Sequence, residues 1–275
     1  LHSFPTRRSS DLVVVLKEGL IRDREHSATI LELALFRSTV QEGWTTLAGY
    51  RERMKPDQEG IFCLAGRDLA ALKASPKLER LVEKGYEVLL LTDPVDEVFL
   101  AEGPEFESLK LLNAASDSVH PSSEDERREE EARLKELESD FAPLREQTLK
   151  IFEDSLEDVR LSLRMTSSPA CLVDSRNGMS LQMEQLMRAM GQEVPSQKRI
   201  LELNAGHPLV LRLLKMAKEE DERVENFLGV LYDQALILEG GTVSDPSVFV
   251  KRLSAVMALA TTRSEERRVG KECRS

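Results

Sequence analysis

Asp93 and Asp96 follow directly on an apolar run, Tyr86 to Thr92, and their spacing allows two kinds of chemistry. At the carboxyl end of a strand in a doubly wound sheet, paired carboxylates can hold magnesium and serve phosphoryl transfer. Asp93-Pro94 with Asp96 three residues on also has the form of a helix start, a capping aspartate followed by a first-turn proline. The capping account needs no ligand and is preferred; a small α/β enzyme using Asp93 and Asp96 at a strand-end crevice stands as the alternative. Other reactive types offer less. Neither G-x-x-x-x-G-K-[ST] nor G-x-G-x-x-G occurs, so both common phosphate cradles are missing. His26, His120 and His207 have no cysteine or acidic partner at ligand spacing, and His207 beside Pro208 reads as a loop or helix start. Cys63 and Cys171 lie among strand-forming apolar residues as small buried hydrophobes, too few and too far apart for a zinc set or a disulfide framework. No nucleophile, base and orienting group assemble. Catalytic, cofactor and metal residues are therefore not expected.

A second pattern concerns binding rather than catalysis. Met179, Met183, Leu186, Met187 and Met190 recur at steps of three and four between Asn177-Gly178 and Gly191. Flexible, polarizable thioethers adapt to many apolar partners, which is how promiscuous surfaces are built. From spacing alone, packing into a core is the favoured reading of such a stripe.

The elements that position these residues fall into two groups. Val13 to Lys17 (VVVLK) reads as a strand, and Ile30, Leu33 and Val40 fit one side of a following helix. Gly60 to Ala65 and Tyr86 to Thr92 read as strands joined by a broken helix over 67–84, a right-handed βαβ unit with Gly85 as the helix stop. Composition changes at 116–130, a polar joint running into a charged helix whose acidic face is best read as solvated. Beyond it, a helix over 141–152, strands at VRLSLRM, ACLVD and ILELN, and a helix over 179–190 predict an α+β domain. The last segment predicts two antiparallel amphipathic helices. Leu228, Leu231, Ala235 and Leu238 line the first, Gly240 and Gly241 end it, and Asp245-Pro246 open the second, lined by Phe249, Leu253, Val256 and Ala260. Such a pair either folds back on its own domain or meets a copy of itself in a four-helix bundle.

His2 to Leu12 and Arg263 to Cys273 can be written as translations of the two strands of one DNA segment, which resembles a sequencing-library adaptor. Residues 1–12 and 263–275 are accordingly expected to be adaptor-derived, and 13–262 to be an internal piece of a longer protein. The formal charge is −11; without the two ends, which carry +1 and +2, it is −14. Such acidity, with no basic stripe, argues against nucleic-acid binding. The longest apolar run, Ala255 to Ala260, is far too short to span a bilayer, so no membrane partner is expected. With Cys273 set aside among the ends, the two remaining cysteines and the lack of a disulfide framework point to a reducing, cytoplasmic setting.

Several strings appear together in one order: LKEG, RMK, the SPKLE to DPVDE block, SSPACLV, GMSLQMEQLM, ELN-x-x-HP, DQALILEGG and DP-x-x-F. No single string is diagnostic. Colinear over nearly all of 13–260, they resemble the heat-shock protein 90 chaperone family of the bacterial high-temperature protein G type. The resemblance implies a small αβα part of a middle domain over 13–115, a joint at 116–130, and an α+β dimerisation domain over 131–262. It implies that Met179, Met183, Leu186 and Met187 face unfolded clients, which reverses the core reading. It further implies a homodimer through Leu228, Leu231, Ala235, Leu238, Phe249, Leu253, Val256 and Ala260. The nucleotide-binding domain and the arginine that reaches ATP would lie before Val13, leaving ATP and magnesium to the complete protein and no ATPase activity to this chain. One departure stands out: some bacterial members have tryptophan after the Asp-Glu pair, where this sequence has Val98 followed by Phe99.

Overall fold

Val13, Lys17 and Leu20 are buried along one side of a helix, α1 (Arg7–Arg22), in the computed structural model of the chain. The VVVLK run is therefore helical, not a strand: steps of four and three put the lysine on the inner face, where it has partners. The structure describes residues 7–23, 25–116, 119, 124–175 and 179–272, with side chains of 7–12, 124 and 260–272 left out of that description. His120, Asn177, Gly178, much of the expected joint and the side chain of Ala260 lie outside the described residues. The chain divides into two units, residues 1–125 and 126–275.

In the first unit, α2 (Ser27–Leu33) ends sooner than the sequence predicts. Phe36 leaves the helix to bridge Thr45, and β1 (Arg37–Ser38) follows. Leu33 and Val40 are consequently exposed, while Leu31, Ala34 and Phe36 are buried. Then come α3 (Leu47–Arg53), β2 (Ile61–Ala65), α4 (Leu69–Lys73), a 3-10 turn (Pro76–Leu78), α5 (Glu79–Glu83), β3 (Leu89–Leu91), α6 (Pro94–Ala101), β4 (Glu105–Phe106) and β5 (Leu109–Asn113). The sheet order is β1-β3-β2-β5-β4, with β2 parallel to β3 and β5, and antiparallel strands at both edges. Alternation splits β2 and β3 between two cores. Ile61, Cys63, Leu89 and Leu91 meet helices α1, α2, α3 and α6, while Phe62, Leu64, Val88 and Leu90 meet α4 and α5. Burial on both faces explains why these strands read as unbroken apolar runs. Gly85 has φ +71, the left-handed conformation that ends α5.

Tyr50 ties the sheet to α3. Its hydroxyl donates to the Glu87 carbonyl at 2.7 Å and accepts from the Phe62 N–H at 3.1 Å, and burial pushes its pKa up. Tyr50→Phe keeps the ring but strips both groups of a partner, so a loss of about 1–3 kcal/mol is expected in urea unfolding. A loss under about 0.5 kcal/mol would show that these bonds contribute nothing net.

The second unit comprises α7 (Glu124–Ile151), β6 (Leu156–Ser162), β7 (Ala170–Asp174), α8 (Leu181–Ala189), β8 (Arg199–Asn204), α9 (Pro208–Lys218), α10 (Val224–Leu238) and α11 (Pro246–Glu272). Only the end of α7 enters the core, through Phe141 and Leu144; the charged stretch before Asp140 is exposed or half-buried. β8 is central, parallel to β6 and antiparallel to β7. Leu172, Leu201 and Leu203 of the sheet pack with Leu213 of α9 and Leu228 and Leu231 of α10. Gly240 has φ +76, and Asp245 caps α11 by accepting from the Ser247 and Val248 amides at 2.9 and 3.1 Å. The chain is thus α+β, as its pattern predicts.

Candidate functional site

Ser180 begins α8 by accepting the Met183 amide on its hydroxyl at 3.1 Å. The helix then does something unusual for a Met-rich segment. Its one buried residue is Glu184, with a side chain 4% exposed, while Met183, Leu186 and Met187 are half-buried. No α8 side chain belongs to an apolar cluster among the described residues. Met179 stands before the helix in irregular backbone, and its carbonyl accepts from Arg199 Nη1 at 2.8 Å. The structure therefore brings Met183, Leu186 and Met187 onto one short helix and leaves Met179 outside it. Met190, the C-cap, is 61% exposed.

Glu184 is held from two sides. Arg199 Nη2 donates to its Oε2 at 2.9 Å and Arg188 Nη2 meets its Oε1 at 2.6 Å; Arg199 also pairs with Asp174. Sequence reasoning missed this pair, although an arginine opening the apolar strand RILELN was a visible anomaly. A further bond, from Gln185 Nε2 to the Gly240 carbonyl at 3.0 Å, joins α8 to the turn between α10 and α11.

The helix pair divides the expected interface set. Leu228, Leu231 and Ala235 are buried in the core of their own unit, because β7 and α9 already cover that side of α10. Leu238, Phe249, Leu253 and Val256 are half-buried. Among the described residues of the pair, the strongly exposed apolar ones are others: Ile237 (49%), Val250 (56%) and Met257 (61%). Between the helices, Arg252 lies over Gly229, where an added Cβ would stand 2.6 Å from its Cδ. Glu225 and Asp233, one turn to either side of Gly229, flank that arginine; Glu225 is 3.9 Å away, and the Asp233 carboxyl is raised by burial and lowered by Arg252.

The strand-end aspartates have a structural role. Lys17 reaches from α1 to Asp93 at 2.8 Å and Asp96 at 2.9 Å, and Asp96, fully buried, accepts the Asp93 amide at 3.0 Å. The ammonium fills the place a bridging cation would need, so the enzyme alternative loses its site. Burial raises the Asp96 carboxyl, and Lys17 opposes that rise. Burial likewise pushes the Cys63 thiol up, away from nucleophilic use. Cys171 is buried with Sγ 3.7 Å from Glu202, itself paired with Arg160. His207 caps α9, and His26 has an acidic partner after all, the exposed Asp23 at 3.0 Å. Val98 is half-buried and Phe99 lies in the core. Among the described residues no three His, Cys, Asp or Glu side chains form a metal cluster, and no helix is long and apolar enough to cross a membrane.

Residues 11–274 match the family described as Hsp90 protein. The chain belongs to the Hsp90 family. It is 43% identical over 249 residues to a protein named Chaperone protein HtpG from Mycobacterium tuberculosis (strain ATCC 25177 / H37Ra). It is 41% identical over 250 residues to the one from Mycobacterium leprae (strain TN) and 42% over 247 residues to the one from Mycobacterium avium (strain 104). Each alignment covers 89% of this chain, and the chain spans 38% of the length of these Hsp90 relatives.

Proposed function

We propose that the chain holds non-native polypeptides against the apolar side of α8 and self-associates through α10 and α11. The observation that carries this reading is that α8 buries a glutamate and leaves Met183, Leu186 and Met187 half-open, the reverse of a core helix. The name Chaperone protein HtpG borne by its relatives supports it. On this reading residues 13–115 are the end of a middle domain, 116–130 a joint and 131–262 a dimerisation domain. The complete protein is then a cytoplasmic, ATP-dependent folding chaperone, with ATP and magnesium bound outside this chain and no ATP hydrolysis within it. Partners are a second copy and unfolded clients, not nucleic acid or membrane.

Met183→Lys tests the client surface. Thermal unfolding should stay within about 1 kcal/mol of the parent, since a half-buried side chain that joins no core cluster among the described residues can extend into water. Suppression of the aggregation of a heat-unfolded client enzyme should be lost. A large drop in stability would return Met183 to a core role and leave a simple dimeric scaffold.

A further inference from the structure

We propose that Arg199 and Glu184 are positioning residues: a buried ionic hub, in place of apolar packing, fixes α8 and decides which of its faces stays open. The proposal rests on the client-holding reading above. Arg199 is the first residue of β8, opposite Asp174 of β7 in the sheet register, and its side chain is 7% exposed. Its guanidinium joins three segments at once. Nη1 donates to Asp174 and to the Met179 carbonyl, and Nη2 donates to Glu184. Glu184 spends its second oxygen on Arg188, so both oxygens of this buried carboxylate are satisfied.

A charged anchor does what an apolar one would not. Met183, Leu186 and Met187, at steps of three and four, share one side of α8 and are all half-buried, and Met183 stands roughly 100° round the axis from Glu184. With leucine at 184, the helix could roll by roughly 100°, one residue step, and exchange one apolar contact for another. Rolling with glutamate at 184 breaks the bonds to Arg199 and sets an apolar side chain against that buried guanidinium, which is strongly unfavourable. The polar pair therefore selects one orientation, as single buried polar residues select register in coiled coils. In the selected orientation, Leu186 stands roughly 200° round the axis from Glu184.

Hydrogen exchange of the full chain, read beside suppression of client aggregation, tests this in Glu184→Gln, Arg199→Met and the double variant Glu184→Met with Arg199→Met. Amide protection over 181–189 should fall about 10-fold or more in each single variant, while 170–174 and 200–204 keep theirs. The double variant should recover protection in α8, because an apolar pair replaces the ionic one, and should suppress aggregation less than the parent as the helix rolls. Unchanged α8 protection in both single variants would overturn the proposal. So would a double variant that stays as unprotected as the singles, since removal of the charge would then not be compensated by packing. If Arg199→Met also unfolds β8, the milder Glu184→Gln decides by the same criterion. Changed α8 protection with parent-like aggregation suppression in all three variants would sustain the hub and sink the client-holding reading instead.

Discussion

Lys17→Met is expected to destabilise the first unit by about 3–5 kcal/mol at neutral pH, the range found when one partner of a buried ion pair is removed. Small domains have only about 5–15 kcal/mol to lose. The methionine fills the volume but leaves Asp96 fully buried and Asp93 largely so, two carboxylates without their cation. The deficit should depend on pH in a definite sense. Burial already raises the Asp96 carboxyl above its ordinary 3.8, and loss of Lys17 raises it further. A folded-state pKa above the unfolded one means that the folded form binds the proton more tightly, so relative stability is lost as pH rises and regained as it falls. Lys17→Met should therefore be nearer the parent at pH 5 than at pH 8. Trp44, the chain's one tryptophan, lies in this unit and reports its urea unfolding. An equal deficit at both values would show that Asp96 does not carry the effect.

The second large effect concerns self-association. Val250→Glu with Met257→Glu is expected to weaken the proposed dimer at least about 100-fold, because both residues are exposed, one heptad apart on α11, and each charge would have to be desolvated in such a bundle. Light scattering after gel filtration should then show a folded monomer where the parent is a dimer. Leu231→Glu should behave differently. Leu231 is buried in its own unit, so a charge there should unfold the protein rather than separate two copies. A parent that is monomeric at every concentration, or a double variant that remains dimeric, would remove α11 from the interface.

The parts legible from the sequence were those governed by neighbours in the chain. The two strands around the broken helix, the stop at Gly85 and the caps at Asp93 and Asp245 depend on residues within a few positions. So do the helix over Leu181–Ala189 and the final helix pair. What failed depended on distant partners. VVVLK has the composition of a strand, yet its geometry is dictated by Lys17 reaching carboxylates 76 and 79 residues on. Leu33 and Val40 keep helical spacing across a break that only the Phe36–Thr45 bridge reveals. Leu228, Leu231 and Ala235 have a helical apolar period that says they are buried but not by what; the answer, β7 and α9, lies outside the pair. The candidate site followed the same rule: the methionines were visible as a period, and the Arg199 hub that orients them was not.

The anchoring of α8 also separates two demands that most helices must meet with the same residues. Its attachment is written in Glu184, Arg188 and Arg199, and among the described residues its apolar side chains take no part in a core cluster. Substitutions among Met183, Leu186 and Met187 can therefore accumulate without threatening the fold, provided the hub is kept. A lineage could reshape the surface this helix presents, one side chain at a time, while the domain beneath it stays the same.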